Sequence, residues 1–312
     1  MTKTTRKPAR AKTDHRAEIT EKLAAGIDAL ATSATWQAYL DVQARFHTYS
    51  FGNSMLIMAQ CPHATRVTSF GTTDKVTGKP KSGWLLLGRH VKGPDETGQR
   101  QRAIWIWAPS SRKVEDEETG ETRRIPFFVP VPVFDISQTE GEPLPGPVRK
   151  LTGEAPEGMI ARAVAFINSA GYDVEFVDRF ESGSKNGDTT WSLRRVRIAT
   201  DGRSTMGQLK TLLHEAGHVL LHESSEAPAG LKELEAESVA YIAAAALGAD
   251  TSDYSFGYVL SWMRGDPGQA RKMIRESGSR IQKAARQIVD GMPAQAAGIA
   301  PASAGIAEDA AA

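Results

Sequence analysis

Apolar residues recur at three- and four-residue spacing through Met206-Gly-Gln-Leu-Lys-Thr-Leu-Leu-His-Glu-Ala-Gly-His-Val-Leu-Leu-His222, which predicts an amphipathic helix. Thr205, with Gln208 three residues on, has capping-box spacing and is the expected cap. Near the start, Ile19, Leu23, Ile27 and Leu30 form one helical stripe. After a Thr-Ser-Ala-Thr break, Trp36, Tyr39, Leu40, Val42 and Phe46 form a second. Asn53 and Ser54 are expected to introduce a third, short helix of Met and Leu residues, with Pro62 just past its end.

Beyond Gly71 the pattern changes to β, with strands expected at Trp84 to Leu87, Ala103 to Trp107 and Ile125 to Phe134. Pro126, Pro130 and Pro132 have no N–H to donate, so the last run must be an edge strand or partly irregular. Farther on come a helix from Met159 to Ser169, a strand from Asp173 to Val177, a polar loop, and a strand from Trp191 to Thr200 that runs into the 206–222 helix. Leu231 to Tyr241 is helical again, and further helices are expected at about Ser255 to Met263 and Pro267 to Val289.

The expected fold class is α+β in two domains. An N-terminal helix-plus-antiparallel-sheet domain spans 18–145 and a second domain 158–290, joined by a linker at 146–157. A basic arm at 1–17 and an alanine-rich tail at 291–312, lacking a periodic apolar face, are expected to be disordered.

Composition changes this picture little. The formal net charge is +1, but residues 1 to 16 hold Lys3, Arg6, Lys7, Arg10, Lys12 and Arg16 against Asp14 alone. Cys61 is the single cysteine, which excludes an intrachain disulfide and a cysteine-built metal cluster and fits a reducing compartment. No signal peptide and no membrane span are read, so a cytoplasmic protein is expected.

The chemistry lies in His214-Glu215-Ala216-Gly217-His218. Imidazoles one helical turn apart can reach a single tetrahedral ion, and Glu215 stands beside them, placed to act on a metal-bound water. Such a site needs a third protein ligand, and the next helix offers Glu233 and Glu237 on one face, with Glu235 roughly opposite. One of the pair can bind metal while the other orients a histidine. His222 continues the stripe, but it lies about 12 Å from His214 along the axis at 1.5 Å per residue, too far to share the ion. It reads as a helix C-terminal histidine favoured by the dipole.

Basic residues Arg66, Lys75, Lys79, Lys81, Arg89, His90, Lys92, Arg100 and Arg102 are interleaved with the aromatics of the first half. Such a mixture suits single-stranded nucleic acid, although Trp105, Trp107, Phe127 and Phe128 also alternate or cluster as strand core would.

The segments Trp36-Gln-Ala-Tyr-Leu, Tyr49-Ser-Phe-Gly-Asn-Ser-Met-Leu-Ile, Leu87-Gly-Arg-His-Val-Lys-Gly93 and Val133-Phe-Asp-Ile-Ser-Gln-Thr-Glu-Gly141 resemble the N-terminal domain of ArdC-type antirestriction proteins. The second half resembles their zincin-like metallopeptidase domain, and the resemblance spans roughly residues 18 to 265. It implies a single-stranded DNA-binding domain followed by a peptidase-like domain, in proteins associated with protecting incoming plasmid DNA from restriction. Carried over by position, His214, His218 and Glu233 are metal ligands, Glu215 is the general base and Glu237 stands behind the site. Arg195, Val196, Arg197 and Ile198 become the cleft-edge strand to which a peptide substrate adds. Tyr49, Phe51, Asn53, Arg89 and Lys92 become DNA contacts.

Zn2+ is the metal implied by the donor set, with Mn2+ or Co2+ able to occupy it. The protein substrate is left open. Tyr241, Tyr254 and Tyr258 are candidates for an oxyanion donor. Two other readings stand beside a DNA-binding peptidase: a DNA-protecting module with a structural metal, and a regulatory peptidase that cuts a repressor or host factor.

Overall fold

The computed structural model describes residues 15–30, 33–115, 122–144, 154–181, 185–249, 251 and 267–292. Helices α1 (His15–Ala29), α2 (Ser33–Arg45) and α3 (Phe51–Gln60) carry the stripes read from the sequence. Residues 15–17 of the expected arm belong to α1. Residues 1–14, most of the linker, the tail beyond 292 and the helix expected at 255–263 with Tyr254 and Tyr258 lie outside the described residues. Helix α3 starts earlier than expected: Ser50 is its cap, accepting from the Asn53 amide, because Asn53 is engaged elsewhere.

A three-stranded sheet follows, in the order β1 (Val67–Thr68), β4 (Thr122–Asp135), β3 (Ile104–Glu115). Strands β3 and β4 make one long antiparallel ribbon in which Pro126, Pro130 and Pro132 pair with Ser111, Trp107 and Trp105. All three prolines share parity along β4, so their missing donors fall on the side away from β3. There β1 reaches only Phe134 and Asp135.

The outer edge of β3 is covered by side chains. Asn53 donates to the Trp107 carbonyl and accepts from its amide at 2.8 and 2.9 Å. Gln60, seven residues and two turns later on α3, does the same to Trp105 at 2.9 and 3.1 Å. Two carboxamides on one helix face therefore stand in for a neighbouring strand. Asn53→Leu is expected to strand one backbone donor and one acceptor and to lower stability by about 2 kcal/mol, read as a lower urea midpoint.

The stretch Trp84 to Leu87, expected as a strand, is instead part of a short helix, α4 (Gly83–Leu86). Its apolar run has no alternation, and the helical turn buries Trp84 with the indole N–H on the Phe134 carbonyl at 2.9 Å. Strands β2 (Arg89–Val91) and β5 (Thr139–Gly141) form a separate two-stranded piece.

In the second half, α5 (Met159–Ser169) leads to β6 (Asp173–Val177), and the polar loop holds a strand, β7 (Gly187–Thr190). The run expected as one strand from Trp191 to Thr200 divides into a 3-10 turn at Trp191–Leu193 and β8 (Arg195–Ala199). Arg194 between them adopts the left-handed conformation with φ 46. The sheet order is β6-β8-β7, parallel on one side of β8 and antiparallel on the other. Helices α6 (Thr205–Leu221), α7 (Ala229–Ala246) and α8 (Pro267–Gly291) follow.

Two apolar clusters hold this together. The larger joins Trp36, Tyr39, Leu40, Phe51 and Met55 of the first helices to Val196 and Ile198 of β8 and to the inner faces of α5 to α8. The smaller lies between α1 to α3 and the β3–β4 ribbon, around Phe46, Leu56, Ile57, Ile104, Ile106 and Val133. Polar contacts cross the same boundary: the Trp36 indole donates to Ser238 at 3.1 Å, and Tyr241 bonds Asp41. The first three helices are thus common to both halves of the chain.

Candidate metal centre

Helix α6 begins one residue before the expected position. Ser204 is the cap, accepting from the Gly207 amide at 3.1 Å, while the Thr205 hydroxyl bonds Glu154 and accepts from Ala155. The helix then presents His214 and His218 on one face, with Nε2 atoms 3.1 Å apart. Helix α7 crosses α6 at Gly217, where an added Cβ would lie 3.0 Å from the Ala236 Cα, so the two backbones meet with no side chain between them. That approach brings Glu233 over the histidines, 3.4 Å from each Nε2.

His214, His218 and Glu233 each offer one ligand atom, and the three lie within 4.8 Å of one another. The proton inventory shows why a cation fits. His214 Nδ1 is 2.9 Å from Glu237, and only an N–H there can bond a carboxylate, which leaves Nε2 as a lone pair. His218 Nδ1 is 2.9 Å from His222 Nδ1, and His222 Nε2 is 3.1 Å from Glu235. His222 must spend its proton on the carboxylate, so His218 supplies the other one and its Nε2 is also a lone pair. Two imidazole lone pairs and a carboxylate converge with no donor among them. Without a cation, His214 resolves this by taking a proton: burial opposes the charge, but Glu233, Glu237 and Glu215 together lift its pKa to about 10. The same contacts hold Glu233 well below the usual carboxylate range.

Glu215 points the other way from Glu233, toward β7. It is 4 % exposed and accepts from the Thr189 hydroxyl at 2.7 Å. Burial raises its pKa, against the pull of Thr189 and the two histidines. Gly187 makes room for it, since a Cβ there would sit 2.7 Å from the Glu215 Oε1.

Several expected site residues have other work. Arg195, Val196, Arg197 and Ile198 lie in β8, the central strand, whose two edges are already paired with β6 and β7. A substrate cannot add there, and the edge strand beside Glu215 is β7. Its polar Gly-Asp-Thr-Thr sequence carries no strand signal, which hides Thr189 from a reading of the sequence alone. Arg197 is held by both oxygens of Asp188 at 3.0 and 2.6 Å. Tyr241 is bonded to Asp41, at the α2–α7 contact, and is no oxyanion donor.

The expected nucleic-acid residues are engaged within the fold. Phe51 is in the core, Tyr49 donates to the Val67 carbonyl at 2.9 Å, and Asn53 caps β3. Arg89 bonds the Thr139 hydroxyl and the carbonyls of Thr139, Gly141 and Glu142. Lys92 is exposed but donates to the Ser137 carbonyl at 2.8 Å. The Phe-Asp-Ile-Ser-Gln-Thr segment is likewise structural: Asp135 caps a 3-10 turn, with Gln138 bonding back to its amide at 2.9 Å.

The fold matches a solved structure. Over 89% of this chain and 98% of the other, it superposes on the metal-free crystal structure of the antirestriction protein ArdC from plasmid R388, with TM-score 0.54 and 20% identity. The chain has the ArdC fold. The Mn(II)-bound ArdC structure gives the same TM-score at 19% identity. An uncharacterized protein of Bacillus anthracis is 25% identical over 272 residues, 79% of this chain and 46% of that protein, so the chain spans less than half the length of this relative. No family model matches the sequence. No helix among the described residues is long and apolar enough to cross a membrane.

Proposed function

We propose that this chain is an ArdC-like antirestriction protein that binds single-stranded DNA and carries a metal-dependent, zincin-like peptidase centre. Residues 18–145 serve the DNA and residues 158–290 the metal. The observation that carries this reading is the convergence of the His214 and His218 Nε2 atoms and the Glu233 carboxylate beside a separately anchored, buried Glu215. Support for the antirestriction role comes from the shared fold with plasmid R388 ArdC.

The donor set fits a divalent cation, Zn2+ by its imidazole and carboxylate ligands, while the relative holds Mn(II). When bound, such a cation polarises a carbonyl and acidifies water. The protein's own residues do the rest. The Thr189 hydroxyl fixes one Glu215 oxygen, and the raised pKa of this carboxyl suits it to take a proton from water and return it to the departing amine. The outer edge of β7, which pairs with no other strand among the described residues, offers main-chain groups along which an extended peptide can lie. A purely structural metal site would not need Glu215.

For DNA, the distal half of the β3–β4 ribbon replaces the residues engaged within the fold. It places Arg112 and Lys113 opposite Ile125 and Arg124, and Phe127 and Phe128 beside them are exposed. Cations for phosphates and rings for bases are the elements such binding needs.

The test uses the full chain, stripped with a chelator and reloaded with Zn2+, Mn2+ or Co2+. Cleavage of an unstructured protein is expected only in the loaded forms, read by mass spectrometry. Oligonucleotide binding should fall steeply as salt rises, and Lys113→Glu with Arg124→Glu should weaken it about tenfold or more. A loaded protein that cuts nothing would leave the metal a structural role, and no binding at low salt would remove the DNA half of the proposal.

A further inference from the structure

His222 ends α6, and Glu235 faces the core from the side of α7 opposite Glu233. Both are 1 % exposed, and neither is a metal ligand. Glu235 is gripped from a third element: Arg280 of α8 bonds its Oε1, and Arg280 also reaches the buried Ser277 hydroxyl at 3.1 Å. These contacts form a continuous chain behind the site, from His218 Nδ1 to His222 Nδ1, from His222 Nε2 to Glu235 Oε2, and from Glu235 Oε1 to Arg280.

We propose that His222, Glu235 and Arg280 are positioning residues for the metal ligand His218, and that α8 is by this route part of the metal centre. The proposal rests on the reading of His214, His218 and Glu233 as a cation site. Its physical basis is the directionality of the chain. Glu235 accepts from Arg280 on one oxygen and from His222 on the other, so His222 carries its proton on Nε2 and turns a lone pair toward His218. His218 must then hold its proton on Nδ1, and the Nε2 lone pair faces Glu233 and His214. The tautomer of a ligand on α6 is set by a guanidinium on α8.

The two ligands are supported differently. His214 is oriented by Glu237, whose side chain is 36 % exposed, through a single contact on the neighbouring helix. His218 is oriented through side chains shielded from water until Arg280 is reached, where competing hydrogen bonds from solvent are absent. The site therefore has one ligand held softly and one held rigidly. The rigid one is adjacent to Gly217, where α7 presses on α6.

The experiment is Co2+ titration of the full chain, following the visible d–d spectrum, with far-UV circular dichroism and the thermal midpoint of the metal-free protein as the fold control. His222→Leu removes both contacts and should weaken Co2+ binding about 10–100-fold with an altered spectrum. His222→Gln can accept from His218 and donate to Glu235 and should recover most of that loss, which a merely space-filling role for His222 would not predict. Glu235→Gln keeps shape and an acceptor but loses charge, and should fall between the two.

A folded His222→Leu protein that binds Co2+ with wild-type affinity and spectrum overturns the proposal. If His222→Leu does not fold, Glu235→Gln decides: affinity within twofold of wild type overturns it, and a clear loss supports it. A wild-type protein that binds no Co2+, Zn2+ or Mn2+ would instead overturn the cation site itself and this inference with it.

Discussion

Glu215→Gln is expected to leave the protein folded and metal-loaded and to lower the proposed peptide hydrolysis by about 10²–10⁴-fold. Glu215 is not among the three converging ligand residues, so the cation does not depend on it. The glutamine oxygen can still accept from the Thr189 hydroxyl, and the amide fills the same space beside Gly187. What is lost is a group able to take and return a proton. Equal metal content in the two proteins, measured by atomic emission, together with a collapsed kcat would identify Glu215 as the base. Undiminished cleavage would show that another group moves the proton. The same variant separates two readings of the biology: protection of DNA in cells that survives Glu215→Gln comes from binding, and protection that disappears comes from cleavage.

Asp135→Ala is expected to cost on the order of 4 kcal/mol of stability, enough to unfold a marginal domain. The carboxylate is 1 % exposed and accepts four hydrogen bonds: the amides of Thr65 and Arg66 on one oxygen, the amide and hydroxyl of Ser137 on the other. Alanine takes the shared acceptor from the backbone amides of Thr65, Arg66 and Ser137 and frees the loop before β1 from the end of β4. Burial alone would push this carboxyl up, yet the Ser137 contacts and the two amides hold its pKa below the ordinary value. A depressed folded pKa means that the stabilisation is fully present above the unfolded value near 4. It is lost as pH falls through the folded pKa beneath it. Urea midpoints of wild type and Asp135→Asn should therefore converge as the pH is lowered below about 4 and separate above it. A constant gap across that range would contradict the assignment.

Much of the candidate metal centre is legible in the sequence because helical periodicity is a strong signal. His214 and His218 on α6, and Glu233 with Glu237 on α7, lie where 3.6-residue spacing puts them. The alternation of roles between the two glutamates, one toward the ligand atoms and one behind His214, follows from the same spacing. What remained hidden depends on partners far along the chain. Asn53 looks like a polar residue free to meet a ligand until β3 is laid against α3, and Arg89 looks like a surface cation until the Thr139 to Glu142 turn closes over it. His222 seemed spent at a helix end because Arg280, 58 positions later, is invisible from its neighbourhood. Strand β7 was missed for a different reason. Gly187, Asp188, Thr189 and Thr190 carry no apolar alternation, since this edge strand is partly open on both faces and its side chains serve Glu215 and Arg197.

Gly217, where the main chains of α6 and α7 touch, gives the ligand triangle a property that the side chains do not determine. His218 is the next residue on one side of that contact and Glu233 lies one turn before Ala236 on the other, so the gap between ligands is gauged by backbone against backbone. Close-packed main chain compresses far less than a side-chain layer does. The spacing of the candidate ligands is therefore set in part by main-chain contact, and the middle of the pentapeptide is as restricted in sequence as its ends.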